Sequence, residues 1–208
     1  MPSLTRSSLI RLSLAASLPL LPLTALAQPQ ADPTWPCPQR RVPVVGAASI
    51  WSGPDLAAAG EWSSDFPTAA LAQKLASRRT PLEDVDGLIE TYAVQAEPER
   101  ARTLTRVFAG VLDIINTERG RVLEGIGRYA RGQARMAERI RDEADKISSV
   151  KDSPEVEIPK ELGDLETRFT WDKRIFDERS HALTYVCEVP TLLEQRLGDI
   201  ARRIQAHL

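Results

Sequence analysis

The chain has 208 residues, with 27 basic against 29 acidic side chains, a formal charge of −2, and only 5% aromatic residues. That near-balance points away from nucleic acid as a partner, and the length suffices for one domain with a real core. Two cysteines, Cys37 and Cys187, and two histidines, His181 and the next-to-last His207, leave a thin inventory for metal or nucleophilic chemistry.

Residues 1–27 read as an export signal. Arg6 and Arg11 form a positive start without acidic residues, Leu12 to Leu26 is apolar, and Ala25-Leu26-Ala27 is a small-residue cleavage site. A membrane anchor is the weaker reading. Pro19 and Pro22 interrupt the run, and it falls short of the ~20 residues that a spanning helix needs. Cys37 stands ten residues beyond Ala27, too far for a lipid-attachment cysteine, and Arg40-Arg41 follow the apolar run instead of preceding it. The expectation is a periplasmic or secreted protein starting at Gln28. It has 181 residues (208 minus 27), with 25 basic (27 minus Arg6 and Arg11) against 29 acidic side chains.

In an oxidising compartment an even pair of cysteines predicts a Cys37–Cys187 disulfide. The spacing excludes a Cys-x-x-Cys redox or haem motif. A reactive thiol is the weaker alternative for Cys37, with Arg40 and Arg41 the only nearby activating charges.

Residues 28–67 carry seven prolines and read as irregular, since proline removes backbone donors and fixes φ. Val42, Val44, Val45, Ile50, Trp51 and Trp62 give the segment enough apolar surface to wrap over a helical core. Trp35 and Trp51 could instead form an exposed docking surface.

A short Ala-rich helix is expected over 68–77. Thr80-Pro81-Leu82-Glu83 then reads as a capping box opening a helix over about 81–96. From Pro98 to about 147, apolar residues from Leu104 through Phe108, Ile115, Ile126 and Met136 to Ile147 keep one helical period. Gly120, Gly125, Gly127 and Gly132 mark either a bend or a close approach of two backbones. Residues 148–158 read as a loop.

From 159 to 207, Leu162, Leu165, Phe169, Phe176, Leu183, Val186, Leu193, Leu197, Ile200 and Ile204 form a heptad seam broken by Asp172, Arg179 and Pro190. Pro190 predicts a kink near Val186 rather than a stop.

The expected fold is therefore all-α. Residues 68–208 form a long antiparallel, coiled-coil-like hairpin with a third, short helix at its base, and the Pro/Trp-containing segment packs on it. Pairing about the loop would set Ile126 near Ser180 and Gly120 near Val186.

Glu178 and His181 have the Glu-x-x-His spacing of di-iron carboxylate bundles, but such bundles use two of these motifs and this chain has one. They define the alternative of a metal- or small-ligand-binding bundle, with a pocket near Gly120–Gly132 flanked by Tyr129 and Trp171. No nucleophile elbow or phosphate loop is present, so no catalytic residue or cofactor is assigned.

Arg121, Arg128 and Arg135, extended by Arg131 and Arg139, form a basic stripe. The acidic residues Asp164, Glu166, Asp172, Asp177 and Glu178 of the other arm suit a charge zipper across the hairpin. The sharper alternative is a patch for an acidic partner or anionic lipid head groups, although nothing else in the sequence indicates membrane-surface contact. Asp172 and Arg179, on the seam itself, would trade stability for register. Long helices make surface rather than pocket. The sequence thus predicts a non-enzymatic protein working by protein–protein interaction or self-association, as an adaptor, assembly or scaffold factor. Off-seam Trp171, Ile175 and Tyr185 could supply the contact surface or lie under residues 28–67.

Overall fold

The computed structural model describes residues 34–153 and 160–208. The expected signal, the first residues of the irregular segment (28–33) and the hairpin apex (154–159) lie outside the described residues. Among those described there are five α-helices and no strand: α1 Leu56–Ala59, α2 Phe66–Ala76, α3 Leu82–Gln95, α4 Arg100–Lys151 and α5 Lys160–Ala206. None is long and apolar enough to cross a membrane.

α4 and α5 pair as a helical hairpin. The core sits at its base, where α2 and α3 pack on both arms. Leu71, Leu75, Val85, Ile89, Leu104, Phe108, Ile115, Leu193, Leu197, Ile200 and Ile204 lie there in one cluster of buried residues. The base is thus a four-helix assembly, because the short helix expected over 68–77 packs there through Leu71 and Leu75 beside the three helices expected.

Helix ends follow local chemistry. Asp65 caps α2 by accepting from the Thr68 amide at 3.2 Å and from the Thr68 hydroxyl, which also contacts the Tyr92 hydroxyl of α3 at 2.7 Å. The Thr68 hydroxyl holds the Asp65 carboxyl below its usual range, against the opposite pull of burial. The expected capping box at α3 does not form. Thr80 turns its hydroxyl back to the Lys74 carbonyl at 2.7 Å, and α3 starts after Pro81 without a side-chain cap. The helix keeps Glu83 and Asp84 in its first turn, where the helix dipole favours acidic residues.

The register differs from the expected one by a heptad. Ile126 packs beside Cys187 and Leu183, and Gln133, not Ile126, hydrogen-bonds Ser180 at 3.1 Å. α4 runs to Lys151 instead of stopping near 147, which moves the apex toward the C-terminus. A seam of period seven accepts such a slip without exposing its apolar stripe, so hydrophobic pattern alone does not choose between the two.

The seam of α5 also drifts by one position. Val186 and Arg179 are exposed, and Cys187 and Ser180 take their places. A straight helix of 3.6 residues per turn leaves a strict seven-residue repeat behind in this way. α5 continues through a buried Pro190 without interruption.

The close-approach reading of the α4 glycines holds at another place. A Cβ on Gly120 would meet nothing within 4 Å, and on Gly125, Gly127 and Gly132 only the mobile ends of arginines on the same helix. At Gly110, by contrast, a Cβ would stand 2.8 Å from the Ala72 Cβ and 2.9 Å from the Trp62 ring. There the backbones of α2 and α4 come together. Gly120→Ala should therefore raise stability by up to about 1 kcal/mol through helix propensity alone. Gly110→Ala should lower it by about 1–3 kcal/mol by overpacking. Urea denaturation of the two variants checks the contrast in sign.

Candidate interaction surfaces and the collar between base and arm

The irregular segment runs from Cys37, where the base gives way to the two-helix arm, along α4 and α5 to the foot of the base. Its attachments are specific. Asn116 of α4 meets the Val45 backbone on both sides, accepting from its amide at 2.9 Å and donating to its carbonyl at 3.1 Å. The Ser52 amide donates to Gln205 of α5 at 2.9 Å. Trp51 stacks on Phe108 with ring centroids 4.2 Å apart, and Trp62 packs against the same core. Cys37 and Cys187 are bonded, with S–S 2.03 Å and Cα atoms 5.5 Å apart. Trp35 is half-buried beside that bridge and donates its indole N–H to the Gln39 carbonyl at 2.7 Å. Trp35 and Trp51 therefore belong to the wrapping, not to an exposed docking surface.

Three buried charged or polar residues of α4 occupy seam positions that an apolar count passes over: Arg119, Gln133 and Glu143. They stand at helical spacing from Ile115, Ile126 and Met136, which is the signal that marks them. Arg119 is almost wholly buried. It pairs with Glu194 of α5 and donates to the Val42 carbonyl at 3.2 Å, so one guanidinium joins both long helices and the wrapping segment. Its Nε and Nη1 have no protein acceptor. Gln133 donates to the Phe176 carbonyl and the Ser180 hydroxyl, both at 3.1 Å, while Tyr129 reaches the Arg179 carbonyl at 2.9 Å.

Arg196 does similar work at the base. It donates to the Leu75 carbonyl at 2.7 and 3.0 Å and to the Thr80 carbonyl at 2.9 Å. Those carbonyls belong to the exposed-dipole end of α2 and the turn after it, where a cation is favoured. Burial lowers the pKa of Arg196 from its ordinary value.

The metal-ligand pair is not assembled. Glu178 accepts from Arg174 at 3.0 Å, the His181 Nδ1 lies 2.8 Å from the Asp177 carbonyl, and both side chains face solvent. Among the described residues no group of three potential ligands comes together. Nor do Tyr129 and Trp171 flank one pocket. Tyr129 meets the backbone at Arg179, whereas Asp172, next to Trp171, pairs with Arg139, well along the arm. The surface concavities beside the collar hold about 230–280 Å³, below the ~300–1,000 Å³ of typical ligand sites.

Among the described residues the charge zipper is reduced to two crossings, Arg139–Asp172 and Lys151–Glu166 at 2.7 Å. Arg121, Arg128, Arg131 and Arg135 lie on the outer side of α4 and are exposed. Arg128 pairs with Glu124 of its own helix at 3.8 Å, and Arg121, Arg131 and Arg135 make no ion pair among the described residues. Arg128 and Arg131 border a concavity with Trp35 and Arg41, the latter lying over the Trp35 ring at 5.7 Å. Of the two polar residues expected on the seam of α5, Asp172 is there, half-buried against Arg139, and Arg179 is not.

Trp171 and Tyr185 are 57% and 73% exposed, so residues 34–67 do not cover them. No protein-family model, curated relative or solved structure matches the chain.

The Arg119–Glu194 pair is unequal, because the Arg119 side chain is 1% exposed and that of Glu194 42%. Removing Glu194 strands a cation in the interior, whereas removing Arg119 leaves a carboxylate that water can reach. Glu194→Ala should therefore destabilise the fold by more than Arg119→Met does. Chemical denaturation of both variants measures the difference, and equal losses would contradict the asymmetry.

Proposed function

We propose that this is an exported helical-hairpin protein that acts by holding another protein chain, as an adaptor, assembly or scaffold factor. The observation that carries the reading is the outer face of α5, where Trp171 and Tyr185 stand in solvent on an arm whose inner face is already paired. Large aromatics that no intramolecular packing explains are favoured anchors at protein interfaces. The arm itself has little core among the described residues, since beyond the collar those that are apolar and buried are few: Met136 of α4 and Leu162 of α5. A narrow stripe of this kind gains from further pairing with another helix.

Export is supported by the sequence of residues 1–27 and by the disulfide, a bond typical of oxidising compartments. Mass spectrometry of the protein recovered outside the cytoplasm should show a chain beginning at Gln28 or its cyclised form. Full-length chain retained in the cytoplasm would refute export.

For the interaction itself, Trp171→Ala/Tyr185→Ala should fold as the parent does, because both side chains are mostly exposed. It should lose the cross-linked species that the parent forms in its native compartment. Unchanged cross-linking would refute the role of this face.

A further inference from the structure

α5 carries a second stripe opposite the one that meets α4. Trp171, Ile175, Ala182, Tyr185, Val189 and Leu192 recur at steps of three, four and seven, with Glu178 at the one polar place. Trp171, Tyr185 and Leu192 are half or more exposed, Ala182 is exposed, Ile175 is half-buried, and Val189 is half-buried where it also packs against the core of the base. From 171 to 192 the stripe spans three heptads, the length at which a seam becomes meaningful.

We propose that this stripe is the seam of a homodimer, in which α5 of one copy packs antiparallel on α5 of a second. The inference rests on the interaction reading above and names its partner. Two features choose the occupant and the direction. The first is self-complementarity. Turned about an axis close beside Ala182, the stripe sets Trp171 near the partner's Leu192, Ile175 near the partner's Val189, and Ala182 near its own copy. The single polar member is also provided for, because Glu178 then faces the partner's Tyr185, whose hydroxyl can donate to the carboxylate.

The second is charge. Arg174, His181 and Glu188 flank the stripe on one side, seven apart. Antiparallel pairing brings Arg174 opposite the partner's Glu188, twice by symmetry. Parallel pairing would set Arg174 against the partner's Arg179, a like-charge contact. The residues are free to make these pairs. Arg174 holds only the exposed contact to Glu178 on its own helix and a place over the Trp171 ring at 5.8 Å, and Glu188 makes no ion pair among the described residues. The small Ala182 beside the axis lets the two helices approach where the aromatics on either side are staggered.

Sedimentation equilibrium of the purified chain tests the proposal. A reversible monomer–dimer equilibrium is expected. Ala182→Glu should abolish it while leaving the helicity of the monomer unchanged, because the residue is exposed and the substitution sets two carboxylates beside the axis. Arg174→Glu should weaken the dimer roughly tenfold, and adding Glu188→Arg to the same chain should restore it, which a merely structural role for either residue would not do. Ala182→Cys should give an oxidised covalent dimer, since both native cysteines are engaged with each other. A wild-type chain that stays monomeric at every concentration, or a dimer indifferent to Ala182→Glu, would overturn the proposal. If the chain is monomeric but Trp171→Ala/Tyr185→Ala still loses its cross-linked species, self-pairing fails and the interaction reading stands. If that variant also cross-links as the parent does, both fail.

Discussion

One covalent bond joins points 150 residues apart in sequence and decides how the rest of the chain can be arranged. Cys37 and Cys187 pin an irregular segment to α5 at the level where the four-helix base ends. The closed loop holds all of α2, α3 and α4, so its effect on the unfolded ensemble falls on most of the fold. Such a closure stabilises by ~2–5 kcal/mol, by a mechanism that is entropic in one account and partly enthalpic in another. Its structural consequence is more definite. With Cys37 held, Val42 and Val45 are placed over α4, where Arg119 and Asn116 meet their backbone groups. A proline-rich stretch with few partners of its own thereby has its polar groups satisfied by side chains of the helices it covers.

The hairpin needs a device of another kind. Two apolar stripes of heptad period can pair in any register related by seven residues, at nearly equal burial. Polar contacts to particular side chains break that degeneracy, because a backbone carbonyl recurs at every residue whereas a given hydroxyl or carboxylate does not. Gln133 finds the Phe176 carbonyl and Ser180, Tyr129 finds the Arg179 carbonyl, and Arg139 and Lys151 find Asp172 and Glu166. Slipped by a heptad, Gln133 would lose the Ser180 hydroxyl, and Arg139 and Lys151 would lose Asp172 and Glu166. Arg119 and Glu194 do the same at the collar. Specificity of pairing in this arm thus comes from a few polar seam residues, and the apolar ones supply adhesion.

This division explains what could be read from the sequence. The all-helical hairpin, the disulfide partners and the extent of each long helix to within a few residues follow from periodicity and from cysteine arithmetic, both of which act locally or by elimination. The register did not follow, because the helix end that sets it, Lys151 rather than Ile147, is governed by fraying and loop contacts that propensity resolves poorly. Arg119, Gln133 and Glu143 do not show in the apolar pattern, because they are polar residues at seam positions. Their positions are visible once polar residues are placed on the same heptad. The Glu178/His181 pair shows the converse. Correct spacing on one helix brings two groups to one face, but a metal site needs further ligands from neighbouring elements, and among the described residues none joins them there.

α5 is therefore a helix with two unlike faces. Toward α4 it presents Leu162, Phe169, Phe176, Leu183 and Cys187, interrupted by polar residues that hold register. Away from α4 it presents Trp171, Tyr185 and Leu192, whose exposure nothing in the intramolecular packing accounts for. The two stripes share one backbone, so the arm cannot shift along α4 without moving the outer stripe. Locking the inner register with buried Gln133 and the Cys37–Cys187 bond consequently fixes where the outer aromatics stand relative to the base. A contact surface built on an otherwise thin two-helix projection is held in place by the same polar residues that align its inner seam, and this accounts for the burial of polar side chains where apolar ones would pack as tightly.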